Sequence, residues 1–373
     1  MKIPPVKVYF SEEDKQEIIA KINEVLSSGQ LTQGKYNTEF EEKFASYIGK
    51  KYAIAVSSGT SALEISLRIF GVEGKEVIVP TNTFFATVLA VLHAGGKVKF
   101  VDIDPATFAI DFEDLKRKIS KSTKGVIIVH IGGIVSPSIE AIRNFCKEND
   151  LFLLEDAAHA HGSIYNGKQA GGFGDAGCFS FFPTKVMTSG EGGMIVTDSE
   201  DLMEKAKCYR DQGKISLNQN VHDKAGYNWR MSELHAIVGL SQLARLKEFV
   251  NKRREIAKKY DEKLEAVSKI KPLFIPPEVA SNYYKYIVLL DEDIDREKLK
   301  TCLREKFEIR LSGEVYELPC HLQPFFENKY PLGTFPKSEY VCAHHVCLPV
   351  YFTMTEEEIN YVVAGLEKSI KTI

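Results

Sequence analysis

"EVIVPTNTFFATVLAVLHAGGKVKFVDID", residues 76–104, sets two apolar runs around one segment of helical period. EVIVP (76–80) is apolar and β-branched, TVLAVLHAGG (87–96) closes on a glycine pair, and VKFVDID (98–104) is apolar again. The simplest reading is a buried strand, a covering helix and a second buried strand.

The alternation continues downstream. DFEDLKRKIS (111–120) and SPSIEAIRNFCKEND (136–150) have helical period, whereas GVIIVHI (125–131) and LFLLEDA (151–157) are apolar runs. Strands without polar alternation are covered on both faces, so the pattern predicts an α/β fold with a mostly parallel central sheet and helices on both faces. Ligands of such sheets bind at the carboxyl ends of the strands, which is where candidate residues are sought. A long helix is predicted from about Met231 to Val267, capped by Ser232 and carrying Leu234, Ile237, Leu243, Leu246, Phe249, Val250 and Ile256. A proline-rich connector (KPLFIPPE, 271–278), a strand (NYYKYIVLL, 282–290) and a helix (DREKLKTCLREKF, 295–307) follow. The chain is therefore expected to divide into a large domain, 1–245, with residues 1 to about 12 an extension, and a smaller C-terminal α/β domain, 246–373.

At 373 residues, 44% hydrophobic and 27% charged, the chain can bury a full core. A formal net charge of −3 gives no electrostatic footprint for nucleic acid. MKIPPVKVYFSEED lacks the long apolar core of a secretory leader, and no apolar run is long enough to span a bilayer. Seven cysteines without a CxxC pair argue against a disulfide framework or an iron–sulfur cluster. The expectation is a cytoplasmic protein without nucleic-acid or membrane partners.

Four segments carry chemistry. In AVSSGTSALEISLRIF (55–70) the small residues Ser57, Ser58, Gly59 and Thr60 open an amphipathic helix, whose unpaired N–H groups and hydroxyls make an anion site. The alternative is an ordinary helix cap. Phe84 and Phe85 follow a strand, where an aromatic can stack on a flat ring as well as fill a core. Asp156 falls at the carboxyl end of LFLLED, and Lys185 falls between GCFSFFPT and a loop with glycines at 190, 192 and 193. An aspartate or a lysine alone is a turn cap or a solvated cation. Together the four match pyridoxal 5′-phosphate: an amine for its aldehyde, a carboxylate for its pyridine nitrogen, donors for its phosphate and an aromatic for its ring.

The chain also resembles the DegT/DnrJ-type nucleotide-sugar aminotransferases, which have the aspartate aminotransferase fold, fold type I. The motifs carrying the resemblance include LTQGKYNTEFEEKFASYIG, VSSGTSALEISL, EVIVPTNTFFAT, EDAAHAHGS, GDAGCFSFFPTK, GEGGMIVTD, GYNWRMSELHA and HLQPFF, in that order. The resemblance implies Lys185 as the lysine that carries the cofactor, Asp156 on the pyridine nitrogen, His159 beside the ring and Ser180 on the phosphate. It implies Gly59 and Thr60, after Ser58, in the phosphate cradle, Phe84 stacked on the cofactor, and Asn228 delivered from the partner of a homodimer. His321 is implied near the substrate. The implied activity moves an amino group, from glutamate, to a keto-sugar on a nucleotide diphosphate, with pyridoxamine 5′-phosphate as the intermediate cofactor form. A keto-inositol or other non-nucleotide cyclic ketone is the alternative acceptor, and a non-catalytic regulator that binds the cofactor is the alternative of another class.

His159 and His161 are two apart with no acid or thiol cluster beside them, and CAHHVC (342–347) fits no common zinc spacing, so no metal site is expected; CAHHVC reads as a half-buried strand. Two positions depart from the family pattern. Gly132 stands where the family usually has an aromatic, and Trp229, the only tryptophan, occupies a variable position. Both bear on the substrate pocket.

Overall fold

The computed structural model describes residues 1–216, 220–327 and 329–373. The apolar runs become strands of one sheet. β1 (Tyr52–Val56), β2 (Glu76–Pro80), β3 (Lys97–Val101), β4 (Thr123–Val129) and β5 (Phe152–Asp156) come first. A side ribbon of β6 (Ile164–Tyr165) and β7 (Lys168–Gln169) then precedes β8 (Ala176–Ser180) and β9 (Gly193–Thr197). The seven-stranded order is β1-β9-β8-β5-β4-β2-β3. β9 runs antiparallel to β8 and to β1, and the remaining pairings are parallel. Every residue of β5 and β9 is buried, as strands covered on both faces require. The edge strand β3 instead begins with the exposed Lys97, a charge that discourages pairing with another chain.

The long helix spans Glu233–Leu264, with the Ser232 hydroxyl accepting the His235 N–H at 3.3 Å. It serves two cores. Leu246, Phe249 and Val250 belong to the cluster around the large sheet, whereas Ile256, Ala257, Tyr260 and Leu264 join a second cluster with Val288, Leu299, Val346 and Leu366. That second cluster covers a three-stranded sheet, β10 (Ile270–Pro272), β12 (Tyr286–Leu290) and β13 (His345–Leu348); β11 (Val279–Ala280) crosses over to pair with β6. The N-terminal segment is tied in too: Ile3 is fully buried in the second cluster and its N–H donates to Glu308 O at 3.0 Å. Among the described residues no helix is long and apolar enough to cross a membrane.

Two local expectations are corrected. NYYKYIVLL forms a strand only from Tyr286, because the residues before it bond to loops of the large sheet. Asn282 Nδ2 donates to His159 O and His161 O at 2.9 Å each, Asn282 N donates to Ser163 Oγ at 3.0 Å, and Ser281 Oγ donates to Gly133 O at 3.1 Å. CAHHVC is not one half-buried strand: Cys342 ends up in the helix Pro336–Ala343, and the strand starts at His345 and is buried throughout.

Gly133 is required at that junction. Its φ is +92°, and a Cβ there would lie 1.9 Å from Asn282 Oδ1. Gly133→Ala therefore strains the backbone and pushes Asn282 out, and it is expected to destabilise the fold by about 2–4 kcal/mol. Urea denaturation reads this out; a midpoint equal to that of the parent protein would show that the junction adapts freely.

Candidate active site

The carboxyl ends of the strands gather the candidate residues. β1 runs into Ser57–Ser58, and the helix Gly59–Ile69 starts there with a capping box: Ser58 Oγ accepts from Ser61 N at 3.0 Å, and Ser61 Oγ accepts from Ser58 N at 3.0 Å. That box uses the Ser61 N–H, leaving the first-turn N–H groups of Gly59 and Thr60 without an intrahelical acceptor. β8 ends at Ser180, which packs so tightly on the helix start that a Cβ on Gly59 would lie 2.8 Å from Ser180 Cβ.

Beyond β8 the chain folds back on itself. Ser189 N and Thr188 Oγ1 both donate to Phe181 O, at 3.0 and 2.7 Å, and Lys185 N donates to Phe182 O at 2.9 Å. Lys185 thus stands on a fixed turn, half-buried, its Nζ 5.0 Å from the centre of the Tyr284 ring. Ser58, Gly59, Thr60, Phe84, Asp156, His159, Ser180 and Lys185 all line one cavity of about 540 Å³.

Asp156, the last residue of β5, is 6% exposed. Its carboxylate accepts from Thr87 Oγ1 at 2.7 Å and from Ala158 N at 3.2 Å. Each hydrogen bond to a charged group contributes about 1.5–3 kcal/mol, against several kcal/mol to desolvate the ion, so the two do not offset burial fully. The balance pushes the Asp156 pKa up, burial being the leading cause. Burial lowers the Lys185 amine to about 8, opposed by the charge of Asp156 and helped by Lys285. An amine of that basicity keeps an appreciable neutral fraction near physiological pH, as a nucleophile requires.

His159 is buried with its Nε2 3.2 Å from Tyr316 Oη, its ring 4.3 Å from that of Tyr284, and its Nδ1 without a hydrogen-bond partner among the described residues. Burial keeps it neutral, its pKa far below the ordinary value. His161 is also buried, against Phe179 and Phe181, and does not line the cavity. Phe84 caps the helix Phe85–His93 and is 60% exposed, its ring 5.8 Å from Tyr316.

Three sequence candidates lie elsewhere. Asn228 is exposed and bridges to Asp211, away from the cavity of its own chain. Trp229 stacks on Tyr227 at 4.0 Å beside a separate shallow depression with Arg68 and His93; its carbonyl accepts the Ser57 N–H at 2.8 Å, steadying the anion turn from behind. His321 is buried, its ring bonded to Thr81 Oγ1 and, at 3.1 Å, to Glu339 Oε1, and it does not line the cavity. Two hydrogen bonds hold both ring nitrogens of His321 in the wall behind β2 of its own chain.

Sequence reading missed Thr87, Tyr284, Tyr316, Arg253 and Lys285, all of which line the cavity. Thr87 had a signal, a polar residue inside the otherwise apolar TVLAVL. The others come from segments remote in sequence and carried none.

These residues suit pyridoxal phosphate. The free N–H groups of Gly59 and Thr60 with the Ser180 hydroxyl suit a phosphate, the under-compensated Asp156 carboxylate suits a protonated ring nitrogen, and the Lys185 amine suits an aldehyde. Such a constellation at the carboxyl edge of this sheet defines a fold type I pyridoxal-phosphate enzyme. Residues 12–367 match the DegT/DnrJ/EryC1/StrS aminotransferase family. The GDP-perosamine synthase of Vibrio cholerae is 33% identical over 91% of this chain and 93% of its own. Among solved structures, the aminotransferase PseC of Helicobacter pylori, involved in pseudaminic acid biosynthesis, superposes with a TM-score of 0.91 at 28% identity over 100% of both chains. NtdA of Bacillus subtilis, with bound pyridoxamine phosphate, gives 0.91 at 31% identity over 99% of this chain and 85% of its own. The chain belongs to the DegT/DnrJ/EryC1/StrS family and is a pyridoxal-phosphate-dependent aminotransferase.

The basicity of Lys185 sets a pH dependence. Only the neutral amine captures an aldehyde, so the rate at which cofactor-free protein takes up pyridoxal phosphate is expected to rise with pH, with a midpoint near 8 rather than the ordinary lysine value. Asp156 favours the ammonium form, so Asp156→Asn should move the midpoint down. Stopped-flow absorbance at a series of pH values checks both; a midpoint that rises in the variant would show that Asp156 does not act on Lys185 through its charge.

Proposed function

We propose that this enzyme transfers an amino group from glutamate to a keto-sugar carried on a nucleoside diphosphate, in the synthesis of amino sugars. One observation carries the reading: Lys185, with its lowered basicity, and the buried Asp156 line the same cavity as the free N–H groups of the Gly59 helix. The sugar-nucleotide part is supported by relatives whose names are those of amino-sugar enzymes, the Vibrio cholerae synthase among them. In this reading residues 1–245 form the cofactor domain and 246–373 the smaller one, in keeping with the two buried clusters that share the long helix.

Bound pyridoxal phosphate supplies an electron sink for the Cα–H bond of the amino donor. With the cofactor bound, Asp156 would keep its ring nitrogen protonated, a task for which a desolvated carboxylate held by Thr87 is well placed. Gly59, Thr60 and Ser180 would hold its phosphate, Phe84 and His159 would flank its ring, and Lys185 would hold its aldehyde carbon and carry the proton taken from the donor Cα. A lysine near neutrality is suited to both directions of that transfer, because neither protonation state is strongly favoured. Asn228, exposed on its own chain, reaches the phosphate of a partner subunit in a homodimer.

Lys185→Ala is expected to abolish the lysine-bound cofactor absorbance and to lower turnover by at least about a thousandfold, the scale of losing a nucleophile that is also the proton carrier. A variant that still cycled with glutamate would remove Lys185 from the mechanism. The acceptor is tested by offering keto-sugar nucleotides and keto-inositols to the pyridoxamine-loaded enzyme and following absorbance; response to keto-inositols alone would overturn the nucleotide-sugar reading. Sedimentation tests the shared site: a dimer is expected, with Asn228→Ala weakening cofactor retention, and a fully active monomer contradicts it.

A further inference from the structure

Two cations face the cavity with no part in the constellation above. Arg253, on the long helix, is 5% exposed, and its Nη1 donates to Tyr283 O at 3.1 Å. Lys285, in the loop before β12, is half-buried; its Nζ donates to Ser312 O and lies 5.3 Å from the centre of the Tyr284 ring. Among the described residues neither has a carboxylate partner at ion-pair distance, and Glu314, on the same wall, pairs with Lys300 at 3.2 Å. Burial lowers the basicity of both, Arg253 to about 10. A buried cation served only by carbonyls leaves several donors unused, five N–H on an arginine and three on a lysine before those bonds are counted.

Gly132 ties Lys285 to the large sheet. Lys285 N donates to Gly132 O at 3.1 Å, which fixes the Lys285 backbone against the turn at the end of β4, and Gly132 takes a φ of +64° there.

We propose that Arg253 and Lys285 form a carboxylate-binding pair that receives the side-chain carboxylate of an acidic amino donor. The amines of Lys185 and Lys285 lie 5.0 and 5.3 Å from the centre of the Tyr284 ring, and Arg253 lines the same cavity, so a donor whose amino group reaches the cofactor site shares its cavity with both cations. The arginine fork suits a carboxylate held in two hydrogen bonds. The inference rests on the donor reading given above and makes it specific.

The test uses the holoenzyme. Calorimetry is expected to show glutarate binding that weakens at least about tenfold in Lys285→Met, the scale of one charged hydrogen bond. In the donor half-reaction, followed by cofactor absorbance, the ratio of kcat/KM for glutamate over alanine should fall by a similar factor and be largely restored in Lys285→Arg. Unchanged glutarate affinity, an equal loss for glutamate and alanine, or displacement of glutarate by pyrophosphate at lower concentration than by succinate would each overturn the pair. A parent enzyme that bound glutarate but was converted by no amino donor would overturn the aminotransferase reading of the cavity and leave the carboxylate pair standing.

Discussion

Asp156 ends a strand buried along its whole length, and the chain offers its carboxylate two hydrogen bonds, from Thr87 and Ala158. That shortfall organises the site. A carboxylate in low dielectric with incomplete compensation attracts a cation, and in the function proposed above the ring nitrogen of pyridoxal phosphate is that cation. The same low dielectric that raises Asp156 lowers Lys185, so one property of the sheet edge, exclusion of water, prepares both the acid and the amine.

Holding such charges in place takes a rigid surround. The Lys185 turn is pinned by three hydrogen bonds back to Phe181 and Phe182, and the anion turn by its capping box and by the Trp229 carbonyl behind it. Asn282 joins the loop after β5 to the segment that brings Tyr284 and Lys285, so the wall facing Lys185 moves with the strand that carries Asp156. The carboxylate pair inferred above belongs to this wall. It extends the logic of the site, with buried charge left partly unsatisfied until a ligand of opposite sign completes it.

The fold was legible because its signals are local. Four apolar runs gave strands where EVIVP, VKFVDID, GVIIVHI and LFLLED stand, and Ser232 capped the long helix as its sequence suggests. Several cavity-lining candidates were legible for a related reason: Ser58, Phe84, Asp156 and Ser180 lie at the end of a strand or the start of a helix, positions that sequence marks. NYYKYIVLL misled because tertiary hydrogen bonds from Ser281 and Asn282 took over residues of high strand propensity. The surroundings of His321 were not legible because a histidine's partners are not written in its neighbours, and within this chain they are Thr81 and Glu339.

By itself, then, the sequence determined the α/β class and the set of groups that pyridoxal phosphate needs, since strand period, helix capping and residue chemistry are properties of short segments. Only the tertiary structure decided that Thr87 supports Asp156, that Lys185 loses basicity, and that Lys285, tied to Gly132, lines the same cavity as Arg253. Each of those depends on burial and on contacts between residues dozens to hundreds of positions apart, and burial is a property of the packed chain.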